Sequence, residues 1–171
     1  MTGLSDDQNL VLIGMPGVGK STVGVLLAKA LSRRFTDTDV LIQAAEGRRL
    51  QDIIDSEGLE AFCRTEERYI LGLECRGHVI ATGGSVVYSA AAMEHLRAGG
   101  AVVYLALPLA QLKKRLRNLD SRGVVMAPGE TIEELYEERR PLYEKYAHHV
   151  VQCAGLRHED VVAAIASALG L

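Results

Sequence analysis

A glycine-rich segment that ends in lysine and serine lies near the start of the chain, and these residue types are suited to binding phosphate. Residues 14–22 read Gly-Met-Pro-Gly-Val-Gly-Lys-Ser-Thr, which fits the pattern of Gly, four residues, Gly, Lys and Ser. Apolar residues 10–13 precede it, and helix-forming residues follow from Val23. A phosphate-binding loop requires this strand–loop–helix context. The sequence therefore predicts binding of a nucleoside triphosphate, and disfavours a glycine-rich turn that binds nothing.

Each residue type in this loop has its own role in holding phosphate. Glycines let several backbone N–H groups point into one concavity, and the positive end of the following helix dipole adds to their effect. Lys20 supplies a charge for the outer phosphates, and Ser21 supplies a hydroxyl ligand for Mg²⁺. The loop residues predicted to contact the nucleotide are Gly14, Gly17, Val18, Gly19, Lys20, Ser21 and Thr22.

Two aspartates, Asp37 and Asp39, follow a short predicted strand at residues 35–36. On an extended backbone their side chains would alternate, so that one faces the metal and phosphates and the other faces a second substrate. A kinase needs a carboxylate that supports the metal and another that orients or deprotonates the attacking hydroxyl. The alternative is an aspartate-rich turn that only caps the next helix.

Composition excludes several classes of function. The chain has 171 residues, of which 48% are hydrophobic and 24% charged, so we expect a single globular domain. A net charge of −3 and an aromatic content of 5% give no support to nucleic-acid or anionic-membrane binding. The longest apolar run, residues 101–110, is too short to span a bilayer. Three cysteines without metal-ligand spacing are typical of a cytoplasmic protein with reduced thiols.

Predicted strands and helices alternate along the whole chain, which indicates a parallel sheet covered on both faces. Ligands of such sheets bind beyond the carboxyl ends of the strands. The phosphate-binding loop, residues 37–39 and the glycine-rich residues 82–84 all follow predicted strands, so we expect them to meet at one edge. Residues 118–130 are irregular, and with Arg122 and nearby glycines they fit a closing lid.

Five segments occur in the order and spacing of the shikimate kinases, which this chain resembles from about residue 10 to residue 169. They are residues 14–22, 37–39, 62–66, 83–84 and 139–143. The resemblance implies a single α/β domain over residues 1–171, with a three-layer α/β/α P-loop kinase fold, a five-stranded parallel sheet and a mobile lid. It also implies transfer of the ATP γ-phosphate to a ring hydroxyl of shikimate, giving shikimate 3-phosphate, with Mg²⁺. The partner expected is a small hydroxy-acid substrate, with no nucleic acid and no membrane. We expect a monomer.

On the nucleotide side, the resemblance implies that Lys20 and Ser21 hold the phosphates and Mg²⁺, while Asp37 supports the metal through water. Arg115 matches an arginine that stacks on adenine. Arg122 matches a lid arginine that closes over the phosphates. The alternative for both arginines is a side chain that lies on the surface and contacts only solvent.

On the acceptor side, the resemblance implies that Asp39 holds the substrate hydroxyls and acts as the base. Gly83 and Gly84 form a backbone wall, and Arg139 reaches the substrate carboxylate. The predicted catalytic residues are then Lys20, Asp39 and Arg122. The predicted acceptor-binding residues are Asp39, Cys63, Arg64, Gly83, Gly84, Ser85 and Arg139.

Two positions depart from the family pattern, and both lie on the acceptor side. Cys63 stands where the family has an arginine for the shikimate carboxylate, and Ser85 stands where it has a third glycine. Arg64 is adjacent to Cys63, but on a helix it is rotated by about 100°. One interpretation is a changed acceptor such as homoserine or, next, gluconate. The other is a tolerated variant of a true shikimate kinase, in which Arg139 and Arg64 hold the carboxylate.

Two further readings stay open. A nucleotide-binding module without turnover is disfavoured by the complete set of predicted catalytic residues. A nucleoside monophosphate kinase is disfavoured by the short acceptor segment with Glu66 and the glycine pair at residues 83–84. Shikimate remains the first expectation for the acceptor because the resemblance extends along nearly the whole chain.

Overall fold

The computed structural model describes residues 4–117, 124, 126 and 129–171. Its strands are β1 (Asn9–Ile13), β2 (Arg34–Asp37), β3 (His78–Ala81), β4 (Gly100–Ala106) and β5 (His149–Gln152). Its helices are α1 (Lys20–Ala30), α2 (Thr38–Glu46), α3 (Leu50–Glu57), α4 (Leu59–Leu71), α5 (Ala90–Gly99), α6 (Leu109–Arg117), α7 (Ile132–Tyr146) and α8 (His158–Leu169), with a 3₁₀ turn at Val86–Tyr88.

The strands form one parallel sheet in the order β2-β3-β1-β4-β5. Central strand β1 is buried along its whole length, as expected for a strand that helices cover on both faces. This confirms the predicted five-stranded α/β architecture. Because all strands are parallel, the loop after β1, the start of α2 directly after β2 and the loop after β3 lie at the same edge of the sheet.

A second, smaller core supports the helices on the acceptor side. Ile42 of α2, Ile53 of α3 and Phe62 of α4 are fully buried against one another. Cys63 is partly buried and packs against this cluster. Phe62, the first residue of one family segment, therefore has a packing role and holds α4 against its neighbours.

Local signals in the sequence account for the start of α7. Thr131 caps this helix, and the reciprocal hydrogen bonds between Thr131 and Glu134 form the capping box that their spacing predicts. Within the described parts of the chain, no helix combines the length and apolarity needed to cross a membrane. The thiols of Cys63, Cys75 and Cys153 are free.

Candidate active site

The loop between β1 and α1 has the backbone conformation that its glycines allow. Gly14 has φ of 146°, and a side chain there would come within 2.8 Å of the Leu105 carbonyl oxygen. Gly19 has φ of 105° and caps α1 in a left-handed conformation. Both positions therefore require glycine. The loop ends at the helix N-terminus, where backbone N–H groups and the helix dipole favour an anion.

Lys20 lies in this concavity with only 8% of its surface exposed. Its Nζ donates hydrogen bonds to the carbonyl oxygens of Gly14 at 2.7 Å and Met15 at 2.9 Å. Burial lowers the pKa of Lys20 to about 8, although the carboxylate of Asp39 opposes this shift. A triphosphate in the loop would raise the pKa of Lys20 again, because an anion favours the ammonium form.

Asp37 connects the phosphate-binding loop with the end of β2. Its Oδ2 accepts a 2.6 Å hydrogen bond from Ser21 Oγ. Its Oδ1 accepts hydrogen bonds from the backbone N–H groups of Asp39 at 3.0 Å and Val40 at 3.2 Å, which caps α2. The capping role and the contact to the phosphate-binding loop, which sequence reasoning weighed as alternatives, thus occur in one residue.

Asp39 does not lie on an extended backbone, so the predicted alternation of Asp37 and Asp39 along a strand is wrong. The cap at Asp37 starts α2 at Thr38, and Asp39 lies in its first turn. The helix directs the Asp39 carboxylate towards Gly83, where a Cβ would lie 2.6 Å from Oδ1. Burial raises the pKa of Asp39 to about 6, against the opposing effect of Lys20. This carboxylate is therefore ionised at neutral pH and well matched to accept a proton.

The backbone of Gly83 and Gly84 is held from both sides. The Gly83 N–H donates a 3.2 Å hydrogen bond to Thr38 Oγ1, and the Gly84 carbonyl accepts a 2.7 Å bond from Tyr143 Oη. A side chain on Gly84 would approach Arg139 Nη1 at 3.0 Å. Glycine at both positions therefore leaves room for the neighbouring polar groups.

Arg139 of α7 is fully buried and lines the same cavity. Its Nε donates a 3.0 Å hydrogen bond to Tyr88 Oη, and its guanidinium lies 5.0 Å from the centre of the Tyr88 ring. These contacts orient the side chain before any ligand binds. A buried guanidinium at a cavity wall is suited to a carboxylate or phosphate.

Around the two departures from the family pattern, the structure adds a contact that the sequence did not indicate. Ser85 is buried, and its Oγ donates a 2.7 Å hydrogen bond to Glu66 Oε2. Burial raises the pKa of Glu66 to about 7, while the Ser85 hydrogen bond opposes the shift. Burial also raises the pKa of the Cys63 thiol, and the Glu66 carboxylate adds to this shift. The two departing residues therefore both lie near the Glu66 carboxylate.

Arg64 lies on the solvent side of α4. Its side chain is 66% exposed and its Nη1 lies 2.6 Å from Glu60 Oε1, one turn away. The predicted role of Arg64 in the acceptor site therefore has no support from its position, since the rotation of one residue along the helix points it away from Arg139.

One cavity of about 1100 Å³ joins these elements. Of the predicted site residues, it is lined by Gly17, Gly19, Lys20, Ser21, Thr22, Asp37, Asp39, Gly83, Gly84, Arg115 and Arg139. The other described ones, Gly14, Val18, Cys63, Arg64 and Ser85, do not line it. Arg122 and most of the predicted lid at residues 118–130 lie outside the described residues. The described lid residues are Val124, Met126, Gly129 and Glu130, and Val124 lines the cavity.

At the nucleotide end, Arg115 Nη1 donates a 2.8 Å hydrogen bond to the Val18 carbonyl, which connects α6 with the phosphate-binding loop.

The segment between β5 and α8 also contributes to this end of the cavity, and the sequence did not indicate it. Leu156 and His158, between β5 and the first turn of α8, also line the cavity. The His158 ring lies 3.1 Å from the position of a Cβ on Gly19. No short motif marks these residues, because packing of α8 against α1 brings them to the site.

The acceptor end also contains residues that the sequence did not single out. Arg49, Leu50 and Gln51, where α3 begins, line the cavity together with Val40 and Gln43 of α2. Their spacing has no motif, and only the packing of α2 against α3 brings them together.

The sequence of this chain is similar to those of known enzymes. The family model described as shikimate kinase matches residues 16–170. "Shikimate kinase 2" of Enterobacter sp. (strain 638) is 36% identical over 169 residues, which cover 96% of this chain and 97% of that protein. "Shikimate kinase" of Thiobacillus denitrificans is 41% identical over 154 residues, which cover 88% of this chain and 84% of that protein.

A solved structure shows the same architecture. The shikimate kinase from Acinetobacter baumannii in complex with shikimate superimposes with a TM-score of 0.84 and is 32% identical. The match covers 94% of this chain and 92% of that chain.

Proposed function

This chain belongs to the shikimate kinase family, and on that premise we propose that it transfers the γ-phosphoryl group of ATP to a hydroxyl of shikimate, giving shikimate 3-phosphate and ADP. The observation that carries the proposal is the single cavity in which a phosphate-binding loop, the carboxylate of Asp39 and the guanidinium of Arg139 meet. One end is suited to a triphosphate, and the other to a small hydroxy acid.

Lys20 and the N–H groups at the start of α1 would bind the β- and γ-phosphates and stabilise charge that develops during transfer. Arg115 would support this part of the site through its hydrogen bond to Val18. The family role of Arg115 beside adenine is consistent with its place on the cavity wall.

Asp39 would orient the acceptor hydroxyl and accept its proton. The hydroxyl oxygen then forms a bond to the γ-phosphorus, and the bond between this phosphorus and the bridging oxygen of ADP breaks. The raised pKa of Asp39, about 6, leaves the carboxylate ionised at neutral pH and makes it a better proton acceptor than an exposed aspartate.

Ser21 and Asp37 are the residues that would hold Mg²⁺, since the hydroxyl and carboxylate oxygens lie together and Mg²⁺ binds few protein oxygens along with phosphates and water. Among the described residues, no cluster of three histidine, cysteine, aspartate or glutamate side chains offers a separate metal site. When bound, Mg²⁺ neutralises negative charge on the transferring phosphates.

Arg139 would bind the acceptor carboxylate. Its burial and its fixed orientation against Tyr88 favour a strong charge-assisted contact. The guanidinium also favours hydroxy acids over neutral sugars, which supports shikimate and leaves homoserine and gluconate as competitors for the test.

We also propose that the chain acts as one catalytic domain over residues 1–171, as a cytoplasmic monomer with a small-molecule acceptor. The three free thiols support a reducing compartment.

The test is ADP formation by the pure protein with ATP and Mg²⁺, using shikimate, homoserine, gluconate and nucleoside monophosphates in parallel. We expect turnover with shikimate and little above background with the others. The Lys20→Ala variant, prepared in the same way, identifies turnover by a contaminating kinase. Turnover confined to another acceptor would overturn the assignment of shikimate, and ATP binding without turnover on any acceptor would overturn the assignment as an enzyme.

A further inference from the structure

Glu66 is a buried carboxyl group that the proposed phosphoryl transfer does not use. It lies on α4, with 2% of its surface exposed. Ser85 Oγ donates a hydrogen bond to its Oε2 at 2.7 Å. Among the described residues, Oε1 has no hydrogen-bond partner. A buried carboxyl oxygen without a donor is costly when ionised, so this position favours the neutral, protonated acid.

The position of this oxygen links it to the acceptor site. A Cβ on Gly83 would lie 2.6 Å from Glu66 Oε1 and equally close to Asp39 Oδ1. A Cβ on the next residue, Gly84, would lie 3.0 Å from Arg139 Nη1. The Glu66 carboxyl and the Arg139 guanidinium thus flank consecutive residues of the same backbone wall.

Charged groups face Glu66 from three other helices. Asp39 of α2 disfavours its ionised form, while Arg139 of α7 and Lys20 of α1 favour that form. On α4 itself, the uncharged thiol of Cys63 lies about one helical turn before Glu66. With burial as the largest cause, the pKa of Glu66 is raised to about 7, so its protonation at neutral pH responds to any added charge nearby.

We propose that the chain takes up a proton at Glu66 when it binds an acceptor that carries a carboxylate. The inference rests on the proposed function, because it places that carboxylate against Arg139. Water or buffer supplies the proton, which adds to a Glu66 oxygen. The proton returns to water or buffer when the product dissociates, and no other bond changes. Protonation removes the negative charge of Glu66, so that Glu66 does not repel the acceptor carboxylate. In the family pattern, the arginine at position 63 would supply a positive charge for this purpose.

Two consequences distinguish this arrangement from a fixed charge. Binding of the acceptor is coupled to proton uptake, so its affinity rises as the pH falls from about 8 to about 6, by roughly fivefold. Substitution of Cys63 by arginine holds Glu66 ionised through a permanent positive charge, and this coupling is then lost.

The experiment is isothermal titration of the full chain with shikimate in buffers of different ionisation enthalpy. Turnover of shikimate is measured first on the same preparation. Near pH 7.5 we expect uptake of about half a proton per site. The part of the uptake that Glu66→Gln removes falls towards zero near pH 5.5, where Glu66 is already protonated. Glu66→Gln keeps the shape and a hydrogen-bond acceptor for Ser85 but removes the uptake.

Glu67→Gln is the matched control, because Glu67 lies on the same helix and its carboxylate is bonded to Ser89 instead. This variant keeps the uptake. Cys63→Arg provides a second test if Glu66→Gln folds poorly, and its binding heat becomes independent of the buffer. Failure of shikimate turnover overturns the proposed function. Shikimate binding without proton uptake, or uptake that persists in Glu66→Gln, overturns this inference alone.

Discussion

Ser21 Oγ lies 2.6 Å from Asp37 Oδ2, although Ser21 follows β1, Asp37 ends β2, and these two strands are not neighbours in the sheet. Strand β3 lies between them, so the hydrogen bond bridges the carboxyl edge of the sheet. The cap that Asp37 provides to α2 fixes the carboxylate in this position. The oxygens proposed to hold Mg²⁺ are therefore brought together before the metal binds.

Ser21→Ala removes one of these oxygens and leaves Asp37 as the cap of α2. We expect the Mg²⁺ concentration for half-maximal turnover to rise about tenfold or more, with little loss of thermal stability, because Ser21 is exposed. A titration of activity with Mg²⁺ at saturating ATP measures the effect. An unchanged Mg²⁺ requirement would remove Ser21 from the metal site.

Lys20→Ala removes the buried ammonium group from the phosphate-binding loop. We expect kcat to fall by about 10²-fold or more, since a preorganised charge at the transferring phosphates contributes mainly in the transition state. The matched control is Lys29→Ala, because Lys29 lies exposed on the same helix and far along it from the loop. Steady-state kinetics of both variants decide the matter, and near-normal turnover in Lys20→Ala would contradict the role of the loop.

Asp39→Asn tests the proposed base. We expect kcat to fall far more than ATP affinity does, because the amide cannot accept the hydroxyl proton. In the unmodified chain, the raised pKa of Asp39 predicts that turnover falls as the pH drops through about 6, where the carboxylate becomes protonated. Asp39→Asn should lose this acidic limb. A variant that retains both the rate and the limb would exclude Asp39 from the chemistry.

Cys63→Arg restores the charge found in the family at this position. The Glu66 carboxylate gives the new guanidinium a counter-charge, and Arg139 is close enough for both guanidinium groups to act on one acceptor carboxylate, so we expect the KM for shikimate to fall by roughly tenfold. Arg64→Ala is the control, since the exposed pair of Arg64 with Glu60 contributes little. Loss of shikimate turnover in Cys63→Arg would indicate a pocket rebuilt for another acceptor.

The raised pKa of Glu66 also makes stability depend on pH. The pKa of Glu66 rises from an ordinary 4.5 to about 7, so the folded chain binds this proton more tightly than the unfolded chain does. The stabilisation from this proton is complete below pH 4.5 and is lost as the pH rises through 7. Glu66→Gln stays neutral throughout. We therefore compare the free energy of unfolding of Glu66→Gln with that of the unmodified chain. The difference should shift in favour of Glu66→Gln by about 2–3 kcal/mol as the pH rises from about 5 to about 8. Urea denaturation across this range measures the difference, and parallel pH profiles would contradict the shift.

Much of the molecule could be predicted from the sequence because its signals are local. The phosphate-binding loop, the strand before it and the helix after it are contiguous, and its glycines allow backbone conformations that other residues disfavour. The alternation of strands and helices likewise restricts the sheet to a parallel arrangement. The positions of Asp39, Gly83 and Arg139 on one cavity followed from the family pattern and the common edge of the strands.

Only the tertiary structure decided which polar groups touch at the acceptor end. Ser85 and Glu66 lie 19 positions apart, and their hydrogen bond depends on how α4 packs beside the loop after β3. The exposure of Arg64 and the approach of His158 to Gly19 likewise follow from helix packing. A residue type specifies what a side chain can do, but burial and neighbours set its charge. Long-range packing therefore determined which of the two departures from the family, Cys63 or Ser85, reaches the buried carboxyl group with a hydrogen bond.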